Sequence, residues 1–181
     1  RFGKTECRVK ESGIEIVSVP DLAERDPDWQ RNWYELECDV WMDVPLPEPP
    51  TIGAFEQFAS RFDSPNYDAN ANFIALDGDR YVGLTGMWIS LPDPQKLYTG
   101  LTGVVRSHRR RGIATALKVN GIRYARDRGV TIVETDNEEN NPMFGLNLEL
   151  GFVARPAWLD FRKVLREPRE GETIPEAKEL V

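Results

Sequence analysis

The chain has 181 residues, 40% of them hydrophobic and 29% charged, and its formal net charge is −7. This length and composition predict one globular domain, and they argue against a membrane partner because no apolar run approaches the ~20 residues of a membrane span. The acidic balance also argues against nucleic acid as a partner. Two cysteines are too few for a disulfide framework or a metal site, so we expect a cytoplasmic protein without a metal.

The first 70 residues combine strand patterns with two amphipathic helices. Alternating apolar and polar residues predict strands over residues 2–10 and 14–19. Apolar residues at helical spacing predict helices over residues 27–42 and 52–62. The tryptophans of the first helix are expected in the core or at an interface. Residues 44–50 contain four prolines and therefore predict an extended connector.

The remaining residues predict a sheet interleaved with helices, and this order of elements predicts an α/β fold. Asp77-Gly78 between apolar runs predicts a hairpin of strands over residues 73–76 and 81–89. Further strands are predicted from residue 97, over residues 130–135, and at 152–154 and 158–165. Helices are predicted from residue 113 to about 128 and from residue 142 to about 150. The charged residues 167–181 are expected to form a mobile tail.

A basic turn joins the strand at residues 97–105 to the helix that starts at Ile113. The turn contains three consecutive arginines, Arg109 to Arg111, followed by Gly112. A helix N-terminus offers backbone N–H groups without intrahelical acceptors and the positive end of the helix dipole. Gly112 has no side chain to keep an anion away. The turn is therefore a candidate phosphate site.

The spacing Arg109-x-x-Gly112-x-Ala114 resembles the [R/Q]-x-x-G-x-[G/A] signature of the GNAT N-acetyltransferase superfamily. In that superfamily the turn holds the pyrophosphate of acetyl-CoA. Residues 140–152, N-N-P-M-F-G-L-N-L-E-L-G-F, resemble a later helix of the same superfamily. The resemblance implies a GNAT fold over residues 14–166, with a mixed, mostly antiparallel sheet, about four flanking helices and a splay at the central strands.

A closer resemblance is to the second module of bacterial tandem-GNAT proteins, the mycothiol synthase-like group. It rests on A-L-K within residues 115–118, T-D-N at residues 135–137, and N-N-P-M at residues 140–143. It implies that residues 1–13 are the last strand of a preceding module or an N-terminal extension. It also implies a second GNAT module in the same chain, or a homodimer, as partner.

The resemblance implies acetyl-CoA as acetyl donor and a small-molecule amine as acceptor. The backbone at Val104 and Val105 is expected to pair with the pantetheine arm, and the N–H groups of residues 110–115 to surround the pyrophosphate. Arginine side chains add charge, and Asn140 contacts the arm or caps the last helix. The implied cofactor-binding residues are Val104, Val105, Arg109, Arg110, Arg111, Gly112, Ile113, Ala114, Thr115 and Asn140.

The implied chemistry is direct attack of the amine on the thioester, and its catalytic residues are Glu134 and Asn147. Glu134 is the predicted base, although an exposed strand glutamate is the alternative. Asn147 stands where many GNAT enzymes carry a tyrosine acid, and an amide does not release a proton at neutral pH. Tyr98 or water could replace that acid; otherwise the module is weakly active or inactive and binds acyl-CoA or braces a partner domain.

Three further polar residues are candidates for roles in binding or catalysis. Glu37 and Asp43 lie on the predicted acceptor side and could bind a cationic amine. His108, the only histidine, is expected to pack rather than to catalyse.

Overall fold

The computed structural model describes residues 2–45, 50–138, 140–156 and 163. It consists of two units, residues 1–44 with 51–136, and residues 45–50 with 137–181. The first unit contains α1 (Gly3–Glu11), β1 (Ile14–Ser18), α2 (Val19–Arg25), α3 (Trp29–Trp41), α4 (Phe55–Ala59), β2 (Phe73–Asp77), β3 (Arg80–Ile89), β4 (Lys96–Val104), α5 (Ile113–Asp127) and β5 (Ile132–Glu134). The second contains α6 (Pro142–Leu150).

The five strands of the first unit form one sheet in the order β1-β2-β3-β4-β5. The first three pairings are antiparallel and the β4–β5 pairing is parallel, which confirms the expected mixed sheet. β5 pairs only with Lys96 to Tyr98. Residues 99–104 of β4 therefore have no strand beside them on that edge in the described part of the chain. This gap is the expected splay.

Helices α3 and α5 cover opposite faces of the sheet. A Cβ atom on Gly103 would lie 2.1 Å from Val40 of α3, and one on Gly83 would lie 3.2 Å from Leu117 of α5. Gly103 is the register partner of Leu84, so Gly83 points to the other face because side chains alternate along a strand. The glycines let both helices approach the sheet closely, and the main core fills the two interfaces.

The N-terminal segment is a helix, so the strand predicted over residues 2–10 is wrong. Helical spacing puts Thr5 and Val9 on one face, and Val9 is 2% exposed within the core. A salt bridge of 3.0 Å joins Glu6 to Arg123 of α5. The strand alternation in these residues is therefore coincidental, and burial against α5 selects the helix.

Other elements differ in extent from the sequence prediction. The helix predicted over residues 52–62 is the short α4, continued by a 3-10 helix at Ser60–Asp63. A helix that the sequence patterns do not predict, α2, directly follows β1, and Ser18 Oγ accepts from the Asp21 N–H at its start. Residues 152–154 form no strand. Six α-helices are present among the described residues, against the four expected.

The second predicted closing strand and the C-terminal tail fall outside the described residues, except for Lys163. No helix in the described part is long and apolar enough to cross a membrane.

Candidate functional site

The N-terminus of α5 presents unpaired backbone donors. Gly112 is the N-cap residue with φ +85°, and no side chain caps the helix. Arg110 is also left-handed, with φ 64°. The first bond into the helix runs from the Ala116 N–H to the Gly112 carbonyl. Among described residues, the N–H groups of residues 110–115 have no acceptor. Consecutive free donors around a left-handed turn form an anion-binding concavity, so the turn fits a pyrophosphate.

The three arginines of the turn have different partners. Arg109 donates from Nε to the Val104 carbonyl at 2.9 Å and forms an ion pair with Asp43. Asp43 also pairs with Arg106. The hydrogen bond from Arg106 has the largest effect and the one from Arg109 a smaller effect, and together they lower the pKa of Asp43 to about 2. Arg109 thus shares one carboxylate with Arg106, and its side chain ties the turn to β4 and to the end of α3. Arg110 is exposed, and Arg111 donates to the Ser12 carbonyl at 3.3 Å.

Two features require glycine at position 112: its left-handed backbone conformation and its close contact with α1. A Cβ atom on Gly112 would lie 2.8 Å from Thr5 Cγ2 and 3.2 Å from Arg8 Nη2. We expected glycine here because a side chain would keep an anion away. That reason is wrong, because a side chain at position 112 would point at α1. Sequence reasoning also missed Arg8, a cation that α1 brings beside the turn. Its only sequence signal is a basic residue on a segment misread as a strand.

The edge of β4 at the gap has one free backbone donor near its end. Val105 donates to the Val82 carbonyl at 3.0 Å and accepts from the His108 N–H at 2.9 Å. Alternation along the strand then directs the N–H and carbonyl of Val104 away from β3. The Val104 carbonyl accepts from Arg109. Of the two residues expected to pair with a pantetheine arm, Val104 faces the gap and Val105 is bonded on both sides.

His108 connects the turn to the β2–β3 hairpin. It is 6% exposed, with Nε2 2.9 Å from Asp77 Oδ2 and Nδ1 2.8 Å from Ser107 Oγ. The histidine lowers the pKa of Asp77 by hydrogen bonding. These contacts give His108 a packing role, as expected.

Glu134 lies in β5, at the end of the short β4–β5 pairing. Its carboxylate is 2.5 Å from Lys96 Nζ, and both side chains are largely buried. Glu134 and Tyr98 raise the pKa of Lys96 by hydrogen bonding. Tyr98 is 40% exposed, with its ring 4.6 Å from the Lys96 ammonium. The predicted base is therefore an ion-paired carboxylate.

The two remaining predicted residues belong to the second unit. Asn141, not Asn140, caps α6 by accepting from the Met143 N–H at 2.9 Å. Asn140 is exposed and donates to Glu138. Asn147 is 4% exposed and donates from Nδ2 to Asn137 Oδ1. Its Oδ1 atom is buried without a donor among the described residues. The Asn147 amide thus holds the loop before α6.

A cavity of about 510 Å³ opens on the face of the sheet covered by α3. It lies between α3, the segment from Thr51 to Phe58, and strands β3 and β4. Its aromatic wall consists of Trp33, Tyr34, Trp41, Phe58 and Trp88. Leu101 also lines it and lies in the part of β4 beside the gap.

The charged wall of this cavity is an ion pair. Arg61 donates to both oxygens of Glu37 at 2.8 and 2.7 Å, and its guanidinium lies 4.1 Å from the centre of the Phe58 ring. Glu37 and Asp43, the carboxylates expected to bind a cationic amine, are therefore both held by arginines. The sequence does not indicate Arg61 as a cavity residue, because Glu37 is 24 residues away along the chain.

The model of the acetyltransferase (GNAT) family matches residues 28–152, more than half of the chain. The chain belongs to the GNAT acetyltransferase family. The predicted superfamily and fold are thus confirmed, whereas the likeness to a mycothiol synthase-like second module stays a prediction. Comparison with curated protein sequences gives no match.

Solved structures share the GNAT fold at low sequence identity. A ribosomal-protein-S18-alanine N-acetyltransferase from Escherichia coli is 17% identical, with TM-score 0.59 and 79% of each chain covered. A GCN5-related N-acetyltransferase from Sphaerobacter thermophilus is 26% identical, with TM-score 0.59, and the match covers 77% of this chain and 41% of that one. A diaminobutyrate acetyltransferase from Paenibacillus lautus, solved with its substrate and coenzyme A, is 21% identical, with TM-score 0.55 and coverages of 76% and 73%.

Proposed function

We propose that this chain is an acetyl-CoA-dependent N-acetyltransferase that acts on a small-molecule amine by direct attack on the thioester. The observation that carries the proposal is the uncapped start of α5, where six consecutive backbone N–H groups lack acceptors in the described chain. Family membership supports a CoA pyrophosphate as the anion. The bound coenzyme A reported for the Paenibacillus lautus relative supports the same ligand.

The residues that would hold acetyl-CoA fall into two groups. The N–H groups of residues 110–115 bind the pyrophosphate, and Arg110 and Arg111 add positive charge outside the ion-pair cluster that Asp43 forms with Arg106 and Arg109. Val104 offers its N–H to the pantetheine arm across the gap beside β4. The thioester supplies the acetyl group. Asn140 stays a proposed contact, with no role in capping α6.

The proposed reaction does not require a carboxylate as general base. Glu134, Glu37 and Asp43 each face a cation, so none is a free acceptor for the ammonium proton. The acceptor amine therefore reacts from its own neutral fraction, and the protein contributes orientation. Asn147 contributes by holding its loop, and the leaving thiolate is protonated by Tyr98 or by water.

The second candidate is a module that binds acyl-CoA without turnover, or that braces a partner GNAT domain. The buried amide of Asn147, at a position where the family often has a tyrosine, favours it. We also propose a second GNAT module or a second copy of this chain as partner, since the match covers 41% of the Sphaerobacter thermophilus protein. A cytoplasmic location stays a prediction.

Thr115→Glu tests the anion site. Thr115 is in the first turn of α5, where a carboxylate is favourable for the helix but occupies the free donors and repels a pyrophosphate. We expect a folded protein of unchanged or higher thermal stability whose affinity for CoA falls roughly 10- to 100-fold by calorimetry. Gln95→Glu, on an exposed loop, is the charge-matched control and should bind CoA normally.

An unchanged CoA affinity in folded Thr115→Glu would reject the proposed site. Thiol release from acetyl-CoA across a panel of amines then separates the two candidates. Binding with turnover identifies an enzyme, and binding without turnover for every amine supports the non-catalytic module.

A further inference from the structure

The cavity on the α3 face carries no net charge. Glu37 and Arg61 are the only charged side chains among the described residues that line it, and they neutralise each other through two hydrogen bonds. Their side chains are 20% and 25% exposed. Arg61 also donates from Nε to the Phe58 carbonyl at 3.1 Å, which fixes the guanidinium on the wall. A second cation on a ligand would therefore meet no free carboxylate.

The rest of the wall is aromatic and well ordered by ring contacts. Trp33 packs edge-on to Phe58 with ring centres 5.7 Å apart, and Tyr34 lies 5.5 Å from the same ring. Trp88 contacts Tyr67 with ring centres 6.0 Å apart. Burial of an aromatic or branched apolar group of a ligand against this wall is favourable. A polyhydroxylated group buries less apolar surface and gains less free energy there.

The amide of Asn72 is a neutral hydrogen-bonding group in the wall of this cavity. Asn72 is 3% exposed, and its Nδ2 donates to the Asp68 carbonyl at 2.7 Å, which fixes the orientation of the amide. Its Oδ1 lies 2.2 Å from where a Cβ on Gly86 would be, and both residues line the cavity. No donor reaches this oxygen within the described chain. An amide oxygen that lines a cavity and has no protein donor can accept a hydrogen bond from a ligand N–H group.

We propose that the acceptor is an amine that carries an aromatic or branched apolar group and no second positive charge, with its nitrogen bound by Asn72 Oδ1. The inference rests on the proposed acetyl transfer and names the substrate class of that site. A neutral amide oxygen stabilises the ammonium form less than a carboxylate does, so more of the bound amine stays in the uncharged, nucleophilic form. Leu101 joins this cavity to the gap beside β4, where the proposed acetyl donor lies.

Binding is measured separately from turnover, because three tryptophans line the cavity and report occupancy by fluorescence. The probes are 2-phenylethylamine, n-butylamine, 1,4-diaminobutane and kanamycin, each titrated into protein saturated with CoA. We expect 2-phenylethylamine to bind roughly 10- to 100-fold more tightly than n-butylamine, from burial of the ring. The dication and the aminoglycoside should bind more weakly than 2-phenylethylamine.

Equal or tighter binding of 1,4-diaminobutane or kanamycin would overturn the inference, as would no binding of 2-phenylethylamine. Turnover with acetyl-CoA is then followed for the same amines. Binding of 2-phenylethylamine without acetylation refutes the enzyme proposal and leaves the ligand class supported. Acetylation of kanamycin alone supports the enzyme and refutes the ligand class.

Arg61→Met tests the neutralised pair directly. It keeps an apolar stem on the wall and leaves Glu37 without its cation, so affinity for 1,4-diaminobutane should rise about tenfold. Glu37→Gln combined with Arg61→Met removes the carboxylate and should abolish that gain. No gain in the single variant would contradict the role of the pair. If the single variant does not fold, the ligand series on the unmodified protein still decides the proposal.

Discussion

Gly112→Ala measures how far the cofactor turn depends on α1. Two penalties add at this position. The left-handed backbone, with φ +85°, costs a residue with a Cβ atom about 1 kcal/mol. The new Cβ atom would lie 2.8 Å from Thr5 Cγ2, and overpacking of this kind costs about 1–3 kcal/mol. We therefore expect the free energy of unfolding to fall by about 2–4 kcal/mol.

Gly129→Ala is the matched control, because Gly129 ends the same helix with φ +79° and open space around it. It carries only the backbone penalty of about 1 kcal/mol. Thr5→Ala removes the nearest atom, so Gly112→Ala in that background should recover the packing part of its loss, about 1–3 kcal/mol. Urea unfolding of the four variants, followed by tryptophan fluorescence, measures these differences.

Two results would contradict a contact between α1 and the turn: a loss for Gly112→Ala no larger than that for Gly129→Ala, or no recovery in the Thr5→Ala background. Either result would mean that α1 does not press on the turn. The same geometry explains why a bulky residue at Gly112 is an unsuitable test of the anion site. It would displace α1 before it reached the free N–H groups, whereas Thr115→Glu places its carboxylate at the helix start.

Two predictions concern pH. Asp43→Asn should lower the free energy of unfolding by about 1–2 kcal/mol at pH 7, since the lowered pKa of Asp43, about 2 against 3.8, corresponds to at most about 2.4 kcal/mol before solvent screening at the exposed Arg106. This stabilisation is complete above about pH 4 and is lost as the pH falls towards 2. The gap between variant and parent protein in urea unfolding should therefore narrow from pH 7 to pH 3, while Asp39→Asn, exposed on the same helix, shows no gap. Separately, kcat/KM should rise with pH towards the pKa of the acceptor amine itself, and an acceptor of lower pKa should shift the profile by the difference. A profile that is the same for both amines would reveal an enzyme base.

Local patterns determined the elements that carry strong periodicity or turn chemistry. The β2–β3 hairpin follows from Asp77-Gly78, and α5 follows from its apolar stripe and from Gly129 at its end. The free donors at the start of α5 were also predictable, because every helix N-terminus lacks intrahelical acceptors. The family resemblance then assigned the anion. These inferences succeed because each depends on residues within a few positions of one another.

Tertiary contacts decided the rest. Residues 2–10 alternate like a strand, yet residues 3–11 form a helix because α5 offers Val9 a buried surface and Arg123 a partner for Glu6. Three carboxylates with possible catalytic roles, Glu37, Asp43 and Glu134, acquire their cationic partners only in the folded chain, over separations of 24 to 66 residues for the arginine pairs. No local pattern encodes such pairings, because a charge selects its partner by distance in space.

The basic Gly-containing turn could therefore be predicted from the sequence. The contact with α1 that requires glycine at position 112 and the lack of net charge in the acceptor cavity could not. The turn needs only a strand, a glycine and a helix in succession. The cavity needs α3, Arg61 and Asn72 brought together, and that juxtaposition exists only after the chain has packed.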